Sequence, residues 1–128
     1  MHLSGGQTSY FYRMIKKRGF HKIIREFILS GKMLIGMSAG AIIMGKSTRI
    51  ATLLENDIVE NDNGLCLFSF EIFPHYTEEK ESIITEYIYE YPDNMVYDLP
   101  NDALIHLKEK KMRLLGDISI YHSKVFNI

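Results

Sequence analysis

The stretch Lys32-Met33-Leu34-Ile35-Gly36-Met37-Ser38-Ala39-Gly40-Ala41-Ile42-Ile43-Met44 decides the fold. A short apolar run breaks at small residues and then resumes, which is the grammar of a strand, a sharp turn and a helix. The break, Gly36-Met37-Ser38-Ala39-Gly40, fits Gly-x-Ser-x-Gly. In that motif a serine sits on a strained strand-to-helix turn, and the flanking glycines let backbone pass close by. On this reading Ser38 is a nucleophile. Small-residue turns after strands also arise from packing alone, so the pentapeptide needs partners elsewhere in the chain.

Upstream, Met1-His2-Leu3-Ser4-Gly5-Gly6-Gln7-Thr8 reads as the tail of a strand entering a glycine turn. A chain that begins inside a motif reads as a fragment. Spacing of Tyr10 with Met14 and Phe11 with Ile15 predicts a helix over 9–18, ended by Gly19. Phe20, Ile23, Ile24, Phe27 and Ile28 form a second helical stripe, closed by Ser30-Gly31, and are expected in the core.

Downstream, Gly45 to Asn63 is polar and irregular, a long loop or short hairpin of the kind that often contributes to a site. Gly64 to Phe73 is apolar and aromatic and reads as a buried strand, ending in Pro74-His75-Tyr76. Its cysteine, Cys66, is expected to be a buried thiol. Thr77 is placed to cap a helix whose buried face is Ile83, Ile84, Tyr87, Ile88 and Tyr91. After the Pro92-Asp93-Asn94 turn, strands are expected at 95–99, 103–107, 112–115 and 124–126, a small β meander with a solvated tip at Lys108–Lys111. Helices alternating with strands and followed by consecutive strands define an α/β class.

Length and composition fit one domain over 1–128, with 46% apolar and 24% charged residues. Fifteen basic and sixteen acidic side chains nearly cancel, so no global field recruits nucleic acid or an anionic membrane. A single cysteine rules out an internal disulfide and suits a reducing compartment. No apolar stretch approaches a membrane span, and Met1-His2-Leu3 lacks the basic start of a signal peptide, so a cytoplasmic location is expected. Neither paired Cys or His spacing nor a Gly-Lys-Ser/Thr phosphate loop is present, so no metal or other cofactor is expected.

A serine hydroxyl needs a base, and histidine has the suitable proton affinity. Of His2, His21, His75, His106 and His122, His75 differs by following a buried strand where loops collect. A structural role at the strand end is the plain alternative. Acyl transfer also needs oxyanion donors. The Ala39 N–H supplies one in elbow geometry, and the Gly5-Gly6 turn can supply another or merely reverse the chain.

Ser-Gly-Gly-Gln-Thr at 4–8, Ile-Gly-Met-Ser-Ala-Gly-Ala at 35–41, Phe-Pro-His-Tyr at 73–76 and Leu-Pro-Asn-Asp-Ala at 99–103 occur in the order and approximate spacing of the peptidase E type. The chain therefore resembles these aspartyl dipeptidases, which are related to cyanophycinases. The resemblance implies a parallel sheet flanked by helices, similar to class I glutamine amidotransferases, with the N-terminal strands missing. It implies hydrolysis of short peptides, dipeptides with N-terminal aspartate in particular, through an acyl-enzyme on Ser38. His75 matches the base, and Gly6 with Ala39 the oxyanion donors. Gln7 stands where the family usually has Asn.

For the third triad member the resemblance favours Asp57, then Glu55. A second acidic position in the family, after the Leu-Pro pair, is Asn101 here, with acid only at Asp102. The guanidinium of Arg49 suits a substrate carboxylate as well as solvent. Missing strands would leave the 32–36 strand with an open edge and invite self-association. A non-catalytic or partner-dependent fragment is the competing reading, whereas a cysteine amidotransferase fails at Ser38, where a thiol is needed.

Overall fold

A computed structural model describes residues 1–55 and 63–123. They fall into two compact units, Met1–Glu71 and Ile72–Ile128, each described by itself below.

In the first unit, strand β1 (His2–Leu3) lies parallel to β2 (Ile35–Gly36), with His2 opposite Ile35 and Leu3 opposite Gly36. The strand expected over 32–36 shortens to two residues because its partner is equally short. Flanking bonds extend the pairing: Ile35 N–H donates to Met1 O at 3.0 Å and Met37 N–H to Leu3 O at 2.9 Å. Helices α1 (Thr8–Lys17), α2 (Phe20–Leu29), α3 (Ala39–Met44) and α4 (Ala51–Leu54) complete the unit. Lys16 and Lys17 close α1, where cations favour the helix C-terminus.

Leu3, Tyr12, Ile15, Ile24, Ile43 and Leu65 form the core of this unit. Each fully buried aliphatic or aromatic side chain of this kind contributes roughly 1.5–3 kcal/mol. The α2 stripe is narrower than its sequence predicts. Ile24 is buried, whereas Phe20 and Ile23 are exposed.

Residues 64–70 correct another expectation, since only Glu71–Pro74 forms strand β3. The N–H groups of Leu65, Cys66 and Leu67 donate to the carbonyls of Ile43, Gly45 and Met44, at 2.7, 3.0 and 3.0 Å. The last carbonyls of a helix have no partner inside it, and this segment satisfies them where a glycine cap would otherwise do so. Following that path turns Cys66 outward, at φ 56, so its thiol is exposed rather than buried.

In the second unit, β3, β4 (Met95–Leu99) and β7 (Ile120–His122) form a three-stranded sheet in that order, with β4 antiparallel to β7. β5 (Leu104–Lys108) and β6 (Lys111–Leu115) make an antiparallel hairpin, whose tip is the expected charged turn. The strand expected at 124–126 lies outside the described residues; β7 comes earlier in the chain. Helix α5 (Glu81–Glu90) buries Ile84, Tyr87 and Ile88, whereas Ile83 and Tyr91 of the expected face are half-buried. Its start differs. A 3-10 turn, Glu78–Lys80, precedes it, and Thr77 Oγ1 donates to Glu79 Oε1 instead of accepting a backbone N–H.

Candidate active site

Ser38 stands between β2 and α3 with φ 54 and ψ −119. Side chains avoid positive φ, so the turn is strained, and strain of this kind persists only where the surroundings hold it. The surroundings here are specific. A Cβ on Gly40 would lie 2.0 Å from Leu3 O, and one on Gly36 would lie 2.3 Å from Met44 Sδ and 2.8 Å from Gly40 O. The two glycines of the motif therefore permit α3 to press against β1 and β2, and that pressure sets the elbow. Ser38 itself is half-buried.

The glycine turn lies against the elbow. A Cβ on Gly5 would be 3.3 Å from Ser38 Cβ and 3.5 Å from Ser38 Oγ. Gly6 follows at φ +142. Parallel pairing of β1 and β2 brings the C-terminal ends of both strands, and the turns that follow them, to one place. Ala39 is the first residue of α3, so its N–H has no acceptor within the helix.

Glu55 is engaged on the same unit. Its Oε2 accepts the Thr8 N–H and its Oε1 the Thr8 hydroxyl, both at 3.0 Å. Thr8 opens α1 and is wholly buried, and Gln7 before it makes no side-chain cap. The carboxylate thus takes the place of a capping residue and ties Thr8 to Glu55, the residue that follows α4. Asp57 lies outside the described residues. Arg49 is half-buried; its N–H donates to Ser47 Oγ at 3.1 Å, and its carbonyl accepts the Thr52 hydroxyl at 2.7 Å.

On the second unit, His75 directly follows β3 with φ 56, another strained non-glycine position. Its ring Nδ1 lies 2.8 Å from Asn101 Oδ1. Lys80 Nζ donates to His75 O at 3.0 Å, and the next residue, Tyr76, donates its N–H to Leu99 O at 3.3 Å. The imidazole is thereby held by its ring, its own carbonyl and its neighbour. Asp102 is exposed in the turn after Asn101.

Beneath this loop, Asp98 is buried on β4. Its Oδ1 accepts the Ser119 N–H at 3.0 Å, and its Oδ2 the Tyr121 hydroxyl at 3.1 Å. Tyr121 Oη is also 3.2 Å from Tyr76 Oη. Burial pushes the Asp98 carboxyl up from the usual range, the two hydrogen bonds hold it down, and Asp117 and Glu81 add to the rise. Tyr121 is raised as well, first by burial and then by its hydroxyl and carboxylate neighbours. Sequence reading missed this network because Asp98 and Tyr121 meet only through the β4–β7 register. The same holds for Glu55 with Thr8, which are 47 positions apart. Among the described residues, no cluster of His, Cys, Asp and Glu is arranged to hold a metal ion.

The first unit thus presents a strained serine between a parallel strand and a helix, with glycines on both sides, and the second unit a histidine held just after another strand. The family model of peptidase family S51 matches residues 1–115, and the chain belongs to that family. It is 31% identical over 123 residues to an uncharacterised peptidase of Listeria monocytogenes, covering 88% of this chain and 58% of the relative. It is 25% identical over 134 residues to peptidase E of Actinobacillus pleuropneumoniae, covering 96% and 57%. A solved structure of a candidate peptidase E from Listeria monocytogenes superposes with a TM-score of 0.74 at 26% identity, over 88% of this chain and 57% of that one. The chain thus spans just under three-fifths of the length of these relatives. No described helix is long and apolar enough to cross a membrane.

Proposed function

We propose that the chain is a cytoplasmic serine-type peptidase acting on short peptides, with dipeptides bearing an N-terminal aspartate as the substrate class. The observation that carries this reading is the Ser38 elbow, held at φ 54 with Gly5 against its side chain. The parallel β1–β2 pair flanked by helices is read as part of an amidotransferase-like sheet.

In the proposed reaction His75 Nε2 takes the Ser38 hydroxyl proton as Oγ bonds to the peptide carbonyl carbon. The resulting oxyanion is assigned to the N–H groups of Gly6 and Ala39 as donors. Collapse breaks the C–N bond, and the leaving amine takes the proton from His75. Water, deprotonated by the same imidazole, then attacks the acyl carbon; the C–Oγ bond breaks, Ser38 Oγ takes the proton back from His75, and the acid is freed. Arg49 is assigned to the substrate carboxylate.

Incubation of the purified chain with Asp-Leu tests the reading, using a Ser38→Ala control. Hydrolysis by the wild type alone supports it, and equal background in both sinks it. Self-association through the β2 edge is proposed from the exposure of Met33, Ile35 and Met37; a sedimentation coefficient independent of concentration excludes it.

A further inference from the structure

We infer that Asn101 is a neutral positioning residue that selects the tautomer of His75, at the place where the resemblance puts a carboxylate. Only the consequence for rate rests on the peptidase reading. The hydrogen bond and the tautomer do not.

Both partners are placed by backbone. Asn101 opens the turn between β4 and β5, closed by Ala103 N–H donating to Pro100 O at 3.0 Å. His75 is set by its strained φ and by the bonds to Lys80 and, through Tyr76, to Leu99. The 2.8 Å contact joins Nδ1 to the amide oxygen. An amide oxygen only accepts, so with the amide in this orientation the hydrogen is assigned to Nδ1, and Nε2 keeps the lone pair that a general base needs.

An amide is ambivalent at this position in a way a carboxylate is not. Turned over, Asn101 would present Nδ2–H to Nδ1, select the opposite tautomer and put a hydrogen on Nε2, where it could not receive the serine proton. A carboxylate accepts through either oxygen and also stabilises the imidazolium formed during the reaction. Hydrogen bonds with an ionised partner are about twice as strong as neutral ones. Asn101 therefore orients the base without the electrostatic help, and Asn101→Asp is a gain-of-function change. Asn101→Ala removes this acceptor from Nδ1.

The test uses the full chain with 15N-labelled histidine, read by long-range proton–nitrogen correlation at a pH where the imidazoles are neutral, with His75→Gln assigning the signals. The wild type and Asn101→Asp are expected to show hydrogen on Nδ1, and Asn101→Ala a shift of population toward Nε2–H. An Nε2–H pattern in the wild type, or one unmoved by Asn101→Ala, overturns the inference. Turnover of Asp-Leu supplies the second readout. Asn101→Asp is expected to raise kcat roughly five- to tenfold and Asn101→Ala to lower it by about tenfold or more, with KM little changed. An Asn101→Asp rate at or below wild type also overturns the inference. The expected tautomers with no hydrolysis by any variant support it, and count against the peptidase reading instead.

Discussion

The carboxylate of Glu55 holds both the N–H and the hydroxyl of Thr8, each at 3.0 Å, across 47 positions of chain. This pair fixes the start of α1, and with it the glycine turn that lies against Ser38. Removing the carboxylate leaves a buried hydroxyl and a helix-start N–H unsatisfied. Glu55→Ala is expected to destabilise by about 1–3 kcal/mol, read as a lower urea midpoint. Hydrogen exchange at Gly5, Gly6 and Thr8 is expected to quicken. Unchanged exchange there would show that the turn is held by something else.

Strain at Ser38 gives a stability order among its variants. Alanine inherits the positive φ of 54, whereas glycine tolerates it. Ser38→Gly is therefore expected to be more stable than Ser38→Ala by roughly 1 kcal/mol, although both lack the hydroxyl. Thermal melts of the two variants give the answer directly, and equal midpoints would mean that the elbow is unstrained.

At Gly40 the penalty runs the other way. A methyl there would meet the Leu3 carbonyl oxygen at 2.0 Å, and backbone cannot step aside as a flexible side chain does. Gly40→Ala must push α3 away from β1, at a cost of about 1–3 kcal/mol or more. It should depress both the melting temperature and any reactivity of Ser38. A variant that melts as the wild type does would argue against the tight elbow.

Much of this arrangement is legible in the chain itself. Ala39–Met44 and Met95–Leu99 occupy the bounds that spacing and flanking residues predict, and the elbow is visible in five residues, because each depends on local chemistry. What is not legible depends on partners far along the chain. The apolar run 64–70 has the composition of a strand, but its N–H groups are claimed by the open carbonyls of α3, and Cys66 is turned out as a result. Asn101 could be singled out by its place after Leu99-Pro100. That its carbonyl oxygen reaches His75 required the loop geometry.

Asp98 predicts a pH dependence. Its native carboxyl binds a proton more tightly than the unfolded one, so between about pH 4 and the raised native value the folded state holds a proton that the unfolded state has released. Its effect is to make stability fall as pH rises through that window and level off above it. Urea midpoints of the wild type and Asp98→Asn, measured from pH 4 to 7, isolate the contribution because every other group is common to both. The wild type is expected to lose stability relative to the variant as pH rises, and parallel curves would contradict the assignment.

The central claim is that Ser38 is a nucleophile activated by His75. Treating the purified chain with a fluorophosphonate and locating the adduct by peptide mass spectrometry tests it most directly. Covalent labelling on Ser38, slowed at least a hundredfold in His75→Ala and absent in Ser38→Ala, is the expected result, in line with the contribution of a general base. No adduct on Ser38, or equal labelling with and without the His75 imidazole, would contradict it.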